Sequence, residues 1–147
     1  MIKTRKAKNE DCELLTKIFI SARKNMTYLP TLYTEEETLW WISNIVLKEN
    51  DIYIAEFNDE PAGFLAKKKD MIEHLYIHPE FQNRNIGKFL LDICKEMNSS
   101  LELWVFQKNT RAIAFYERNG FKLMELTNGS QNEEKVPDAR YAWIKPS

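Results

Sequence analysis

The chain has 147 residues and a mass of 17.5 kDa, a size at which roughly 68–70% of the unfolded surface can be buried around one core. A composition of 44% hydrophobic, 12% aromatic and 29% charged residues excludes collagen-like, low-complexity and wholly disordered classes. Twenty-one Lys plus Arg against 22 Asp plus Glu leave a net charge of −1, so no overall positive field draws the chain to nucleic acid or to an anionic membrane.

No apolar run approaches the roughly 20 residues that span a bilayer, and the polar N-terminus lacks a signal peptide's apolar region. A cytoplasmic protein with no membrane and no nucleic-acid partner is expected. Cys12 and Cys94 are too few for a disulfide scaffold and fall among apolar residues, which reads as two buried thiols. Lys3, Arg5, Lys6 and Lys8 read as the solvated face of a first strand over residues 2–7.

Asn9 is placed to cap a first helix, whose apolar positions Leu15, Ile18, Phe19, Ala22 and Met26 share one face. Pro30 lies in the break that follows. Thr34-Glu35-Glu36-Glu37 matches a capping box and predicts a second helix running to about Lys48. Three short strands follow, Ile52–Phe57, Ala62–Lys67 and Met71–Ile77, the first two joined by a turn at Asn58-Asp59-Glu60-Pro61. Ile86, Phe89, Leu90, Ile93, Cys94 and Met97 mark an amphipathic helix. After it come a strand at Leu101–Phe106, a short helix capped by Asn109 and closed at Asn119-Gly120, and two strands, Phe121–Leu126 and Ala139–Ile144, linked by the polar segment 127–138. This order predicts one α+β domain over residues 1–147, with a mixed, mostly antiparallel sheet, a β-α-β crossover and helices on both faces.

The chemistry concentrates at Met71–Met97. There a strand runs through His78-Pro79 and Gln82-Asn83-Arg84-Asn85-Ile86-Gly87 directly into a helix. Amides without intrahelical partners, backed by the positive end of the helix dipole, form an anion site suited to a phosphate or pyrophosphate. Gly87 allows close backbone approach, and Asn85 tolerates positive φ. The segment is neither a P-loop nor a three-glycine dinucleotide fingerprint, which argues against ATP and NAD.

Gln82-x-x-Asn85-x-Gly87 resembles the Gln/Arg-x-x-Gly-x-Gly/Ala acyl-CoA signature of the GNAT superfamily of N-acetyltransferases. Asn109-x-x-Ala112-x-x-Phe115-Tyr116-x-x-x-Gly120-Phe121 is similar to that superfamily's other recurring segment, and the element order agrees along the chain. One departure is Asn85, where the signature has a glycine; this bears on the shape of the pyrophosphate cradle. The resemblance implies that acetyl-CoA, as co-substrate, lies where the strand Met71–Ile77 splays from Leu101–Phe106. Its pantetheine arm would pair with backbone around Leu75, Tyr76 and Ile77. Its pyrophosphate would rest on the amides of Gln82, Asn83, Arg84, Asn85, Ile86, Gly87 and Lys88, with Arg84 or Lys88 adding charge. Asn109 would bond the cofactor arm while also capping its helix.

The implied reaction is direct attack by a primary amine of a small molecule or peptide on the thioester. Tyr116 matches the position of the acid that protonates the departing thiolate; its other reading is a core aromatic. For the base, Glu73 stands inside an apolar strand, where desolvation would raise its pKa. Alternation sets Glu73, Leu75 and Ile77 on one face and His74, Tyr76 and His78 on the other, unless a bulge intervenes. Glu73 acting through water is preferred, and His74 is second. His74 and His78 stand about 13 Å apart along a strand, too far to share one metal ion, so no metal is expected. Tyr28, Tyr33 and Trp40 or Trp41 are candidate walls of the acceptor pocket. A non-catalytic acyl-CoA-binding regulatory module is the alternative function, and the oligomeric state, a homodimer included, stays open.

Overall fold

The computed structural model describes residues 1–147. It contains β1 (Ile2–Lys6), α1 (Cys12–Arg23), α2 (Glu35–Trp41), a π-helical stretch Ile42–Val46, α3 (Leu47–Glu49), β2 (Asp51–Phe57), β3 (Glu60–Lys68), β4 (Met71–Ile77), α4 (Ile86–Met97), β5 (Ser100–Phe106), α5 (Thr110–Arg118), β6 (Lys122–Leu126) and β7 (Asp138–Ile144). Seven strands form one sheet in the order β1-β2-β3-β4-β5-β7-β6, antiparallel throughout except for β4 and β5. No helix is long and apolar enough to cross a membrane.

Alternation along the strands divides the core between the two faces of the sheet. Ile52, Ile54, Phe64 and Ala66 pack with Leu15, Ile18 and Phe19 of α1 and with Ile42 and Val46. Ala55, Leu65, Leu101, Leu103 and Tyr141 pack on the other face with Ile86, Leu90, Leu91 and Cys94 of α4 and Tyr116 of α5. The α4 face is turned slightly from the one the sequence marks: Leu91 is fully buried and Met97 is exposed.

Several local expectations change for identifiable reasons. Asn9 lies in a single 3-10 turn and does not cap α1. Asp11 organises that entry instead, accepting the Lys8 amide at 2.8 Å and a bidentate pair of bonds from Arg5 at 2.8 and 2.9 Å. Arg5 is therefore bound, not simply solvated. The Thr34–Glu37 capping box forms as expected, with bonds of 2.9 and 3.1 Å. The β2–β3 turn is only Asn58-Asp59, both at positive φ, and Pro61 falls within β3 beside a register shift, a place that does not need its missing amide hydrogen.

The feature that positions the site is a fork. β4 and β5 pair only at Met71–Glu102 and Ile72–Leu103. Beyond Ile72 the edge of β4 is free, while β5 stays paired with β7 along its whole length. A second irregularity sits beside the fork: β3 pairs Lys67 with Ile72 but Ala66 with His74. Glu73 is thus the extra residue of a β-bulge.

Candidate active site

The free edge of β4 has a defined hydrogen-bonding face. The His78 amide donates to the Ala62 carbonyl at 2.8 Å, so by antiparallel alternation Tyr76 and His74 also turn their backbone groups toward β3. The amides and carbonyls of Leu75 and Ile77 point the other way, into the fork. Gly63 of β3 makes room for this geometry, since a Cβ there would stand 2.5 Å from Ile77 Cδ1 and 2.7 Å from the Tyr76 carbonyl oxygen.

β4 leads through one 3-10 turn, Pro79–Phe81, into the loop before α4. His78 Nδ1 accepts the Glu80 amide there at 3.1 Å. Asn83 and Asn85 both take the left-handed conformation, at φ 65° and 63°. Asn85 therefore adopts the backbone shape for which the signature uses glycine. The first bond of α4 runs from the Phe89 amide to the Asn85 carbonyl at 3.0 Å, which leaves the amides of Ile86, Gly87 and Lys88 without intrahelical partners. Gly87 also admits Phe115 of α5, whose Cζ would lie 3.3 Å from an added Cβ.

Free strand edge, bare helix terminus and the start of α5 line one open cleft of about 690 Å³. Every charged residue lining it is basic: Lys88, Lys108, Arg111 and Arg118. In a chain of net charge −1 this concentrates positive potential where the bare amides already point. Arg111 does most to order the loop, donating to Gln82 Oε1 at 2.9 Å and to Asn83 Oδ1 at 2.7 Å. Sequence reasoning missed it, because nothing in the Asn109 motif marks that position; only the packing of α5 against the loop does.

Of the residues singled out from sequence, Leu75, Tyr76, Ile77, Gln82, Asn83, Asn85, Ile86, Gly87, Lys88 and Asn109 all line this cleft. Asn109 caps α5 by accepting the Ala112 amide at 3.2 Å. Arg84, Glu73 and Tyr116 lie outside the lining. Arg84 turns away, its guanidinium 5.1 Å from the centre of the Phe57 ring. Glu73 is exposed at the bulge, so the burial expected of a carboxylate inside this strand is absent. Tyr116 is 8% exposed and packs edge-on against Phe115 and Phe121 at 5.3 and 5.6 Å. Burial raises the Tyr116 phenol well above its ordinary range, and the neighbouring Tyr76 adds to this.

On the α1 side of the fork, His74 and Tyr76 sit against Phe19, with Trp41 edge-on to both His74 and Phe19. Burial, helped by the Arg23 charge, lowers His74 to about 4, so its ring is neutral at neutral pH. Trp41 thus belongs to the core, whereas Trp40 and Tyr33 are exposed and Tyr28 lines the cleft. Cys12 and Cys94 are free and buried, and burial pushes the Cys94 thiol up to about 11, which suits packing rather than nucleophilic chemistry.

The model of the acetyltransferase (GNAT) domain family matches residues 48–123. The chain belongs to the GNAT superfamily of acetyltransferases. It is 30% identical over 125 residues to the peptidyl-lysine N-acetyltransferase YjaB of Salmonella typhimurium, covering 84% of this chain and 85% of that one. It is 32% identical over 152 residues to the spermidine N(1)-acetyltransferase of Thermoplasma acidophilum, covering 88% and 92%. The solution structure of apo YjaB from Escherichia coli superposes with a TM-score of 0.82 over 99% of each chain at 22% identity, a likeness of fold. The GNAT chain is accordingly an N-acetyltransferase that uses acetyl-CoA as acyl donor.

Proposed function

We propose that this acetyltransferase acetylates a primary alkylamine carried by a small molecule or a peptide, and that its acyl donor binds along the free edge of β4. Acetyl-CoA supplies an activated thioester on a long anionic carrier. The backbone groups of Leu75 and Ile77 suit a pantetheine arm, which would pair with them as an added strand. The amides of Ile86, Gly87 and Lys88, with Arg111 and Lys108 nearby, suit its phosphates. The single observation that carries the reading is this continuity: an unpaired strand edge ends on bare helix amides inside a cleft whose only charges are positive.

Acetyl transfer forms a C–N bond and breaks the C–S bond; a protonated alkylamine gives up two protons on the way to the amide, of which one is needed at sulfur and one passes to solvent. We assign Tyr116 as the donor to sulfur from its place in the Asn109–Phe121 motif, next to Phe115 of the cleft wall; burial keeps its hydroxyl protonated and also makes the phenol a weaker acid. Glu73, exposed at the bulge, would receive the amine's proton through water. His74 is a poor alternative, since burial disfavours its protonated form. Both named relatives carry alkylamine acceptors in their names, and such acceptors are cationic in solution. On the α1 side of the fork Glu134 is paired with Arg23, and both bear on the Tyr76 phenol.

The test is release of free thiol from acetyl-CoA with spermidine and with an N-terminally blocked lysine peptide. Turnover is expected on at least one, and Tyr116→Phe should lower kcat by about 100-fold while the KM for acetyl-CoA stays within about twofold. Tight acetyl-CoA binding with no turnover on any amine would contradict the reading.

A further inference from the structure

The loop after α1 places one phenol at the fork, and its hydrogen bonding is incomplete. The ring of Tyr28 meets Phe106 of β5 edge-on at 6.1 Å, and Tyr28 lines the same cleft as Tyr76 of β4. Tyr28 therefore touches the β5 arm of the fork and faces the cleft that the β4 arm lines. Its hydroxyl oxygen is buried and has no hydrogen-bond partner anywhere in the chain. The other buried side-chain atom in that condition, Asn50 Oδ1, belongs to an amide whose nitrogen already bonds the Val46 carbonyl at 3.0 Å. Tyr28 has no such second contact.

Burying a hydroxyl without a partner costs about 1–3 kcal/mol, and phenylalanine would fill nearly the same space without that penalty. A destabilising polar tip beside a cleft is explained when a ligand supplies the missing partner. The position of the loop indicates which ligand. Tyr28 follows α1 and stands with Ala22, Asn25 and Met26 at one end of the cleft, whereas the amides suited to phosphates line the same cleft at the α4 terminus. A ligand group that meets Tyr28 lies at the α1 end of the cleft, away from the amides that suit phosphates. Burial also raises the Tyr28 phenol, so at neutral pH it is uncharged and its oxygen can accept a hydrogen bond.

We propose that Tyr28 orients the acceptor: its hydroxyl oxygen accepts an N–H of the incoming amine and directs the nitrogen lone pair toward the acyl carbon. The inference rests on the transferase reading above and deepens it by assigning a residue to the acceptor.

The experiment compares wild type and Tyr28→Phe in two measurements: thermal unfolding without ligand, and steady-state kinetics with spermidine and with an N-terminally blocked lysine peptide. The variant should melt at the same temperature or higher, because it loses no bond. Its kcat/KM for the amine should fall about tenfold while the KM for acetyl-CoA stays within about twofold. A drop of several degrees in melting temperature, or failure to fold, would mean that the hydroxyl has a structural partner and would overturn the proposal. An unchanged kcat/KM for the amine, or an equal rise in the KM values for amine and acetyl-CoA, would overturn it as well. Absence of wild-type turnover on either amine removes the transferase reading together with this one. Wild-type turnover with an unaffected variant removes the Tyr28 assignment alone.

Discussion

Arg23, the last residue of α1, and Glu134, in the loop between β6 and β7, meet at 3.0 Å across 111 residues of sequence, with side chains 22% and 19% exposed. A second contact, from the Tyr33 hydroxyl to the Glu133 carboxylate, ties the same two loops together. These bonds make a strap over the α1 side of the fork, anchored at the β7 end where Gln107 donates to the Thr127 and Asp138 carbonyls at 2.9 Å each.

Because the Arg23–Glu134 pair is mostly shielded, removing one charge leaves the other poorly compensated. Glu134→Gln should therefore destabilise the fold by about 1–2 kcal/mol, between the values for exposed and buried pairs. For a domain of this size that corresponds to a drop of roughly 3–6 °C in melting temperature. The variant should also raise the acceptor KM severalfold and leave the acetyl-CoA KM nearly unchanged, since the strap lies away from the α4 terminus. Calorimetric melting and steady-state kinetics read both effects.

Arg111 holds the Gln82–Asn83 loop and adds charge to the cleft. Arg111→Ala should weaken acetyl-CoA binding by about tenfold at low ionic strength, and the difference from wild type should shrink as salt is raised. Titration calorimetry at two salt concentrations checks this; equal affinity for both proteins at low salt would remove Arg111 from the site.

Asn85 stands at φ 63°, a region that glycine enters freely and a β-branched residue does not. Asn85→Gly should leave both stability and acetyl-CoA affinity close to wild type. Asn85→Val should lose about 1–2 kcal/mol of stability and weaken acetyl-CoA, because the amides of Ile86 to Lys88 take their direction from this residue. Melting temperatures and calorimetric affinities of the two variants separate the outcomes.

Two groups set the acid side of the stability profile. His74 is lowered to about 4 in the fold by burial, against about 6.5 in the unfolded chain. Between these values the unfolded state binds a proton that the folded state refuses, so stability falls as pH falls from about 6.5 to 4, by roughly 3 kcal/mol. Asp11 is held below the usual carboxylate range, chiefly by its bonds from Arg5. Its contribution is present above about pH 3.9 and is lost as pH falls through the folded value. Urea unfolding at pH 7, 5.5 and 4.5 should show the first loss, and His74→Phe should flatten it.

Most of the strands and helices could be read from the sequence, because each carries a local signal. The 3.6-residue pattern of α4, the Thr34–Glu37 box and the strand Met71–Ile77 need no distant partner to be recognised. The loop before α4 was legible for the same reason, since left-handed Asn85 and the bare amides are properties of a short segment. What escaped depends on pairing between remote parts. The bulge that exposes Glu73 is set by the register with β3, and Asp11 displaces Asn9 as organiser of α1 because Arg5 lies within reach. Arg111 and the Arg23–Glu134 strap exist only once α5 and the loop before β7 have packed. The hydroxyl of Tyr28 could be named from sequence as an aromatic near the acceptor, but its lack of a partner is a fact of the fold.

The central claim, that the free edge of β4 and the terminus of α4 together hold the acyl donor, is tested most directly by amide hydrogen exchange with and without saturating acetyl-CoA. The account predicts slowed exchange at Leu75 and Ile77 and at Ile86, Gly87 and Lys88, with the β5–β7 ladder little changed. Saturable binding that leaves those five amides exchanging at their free rates, or no binding at all, would contradict it.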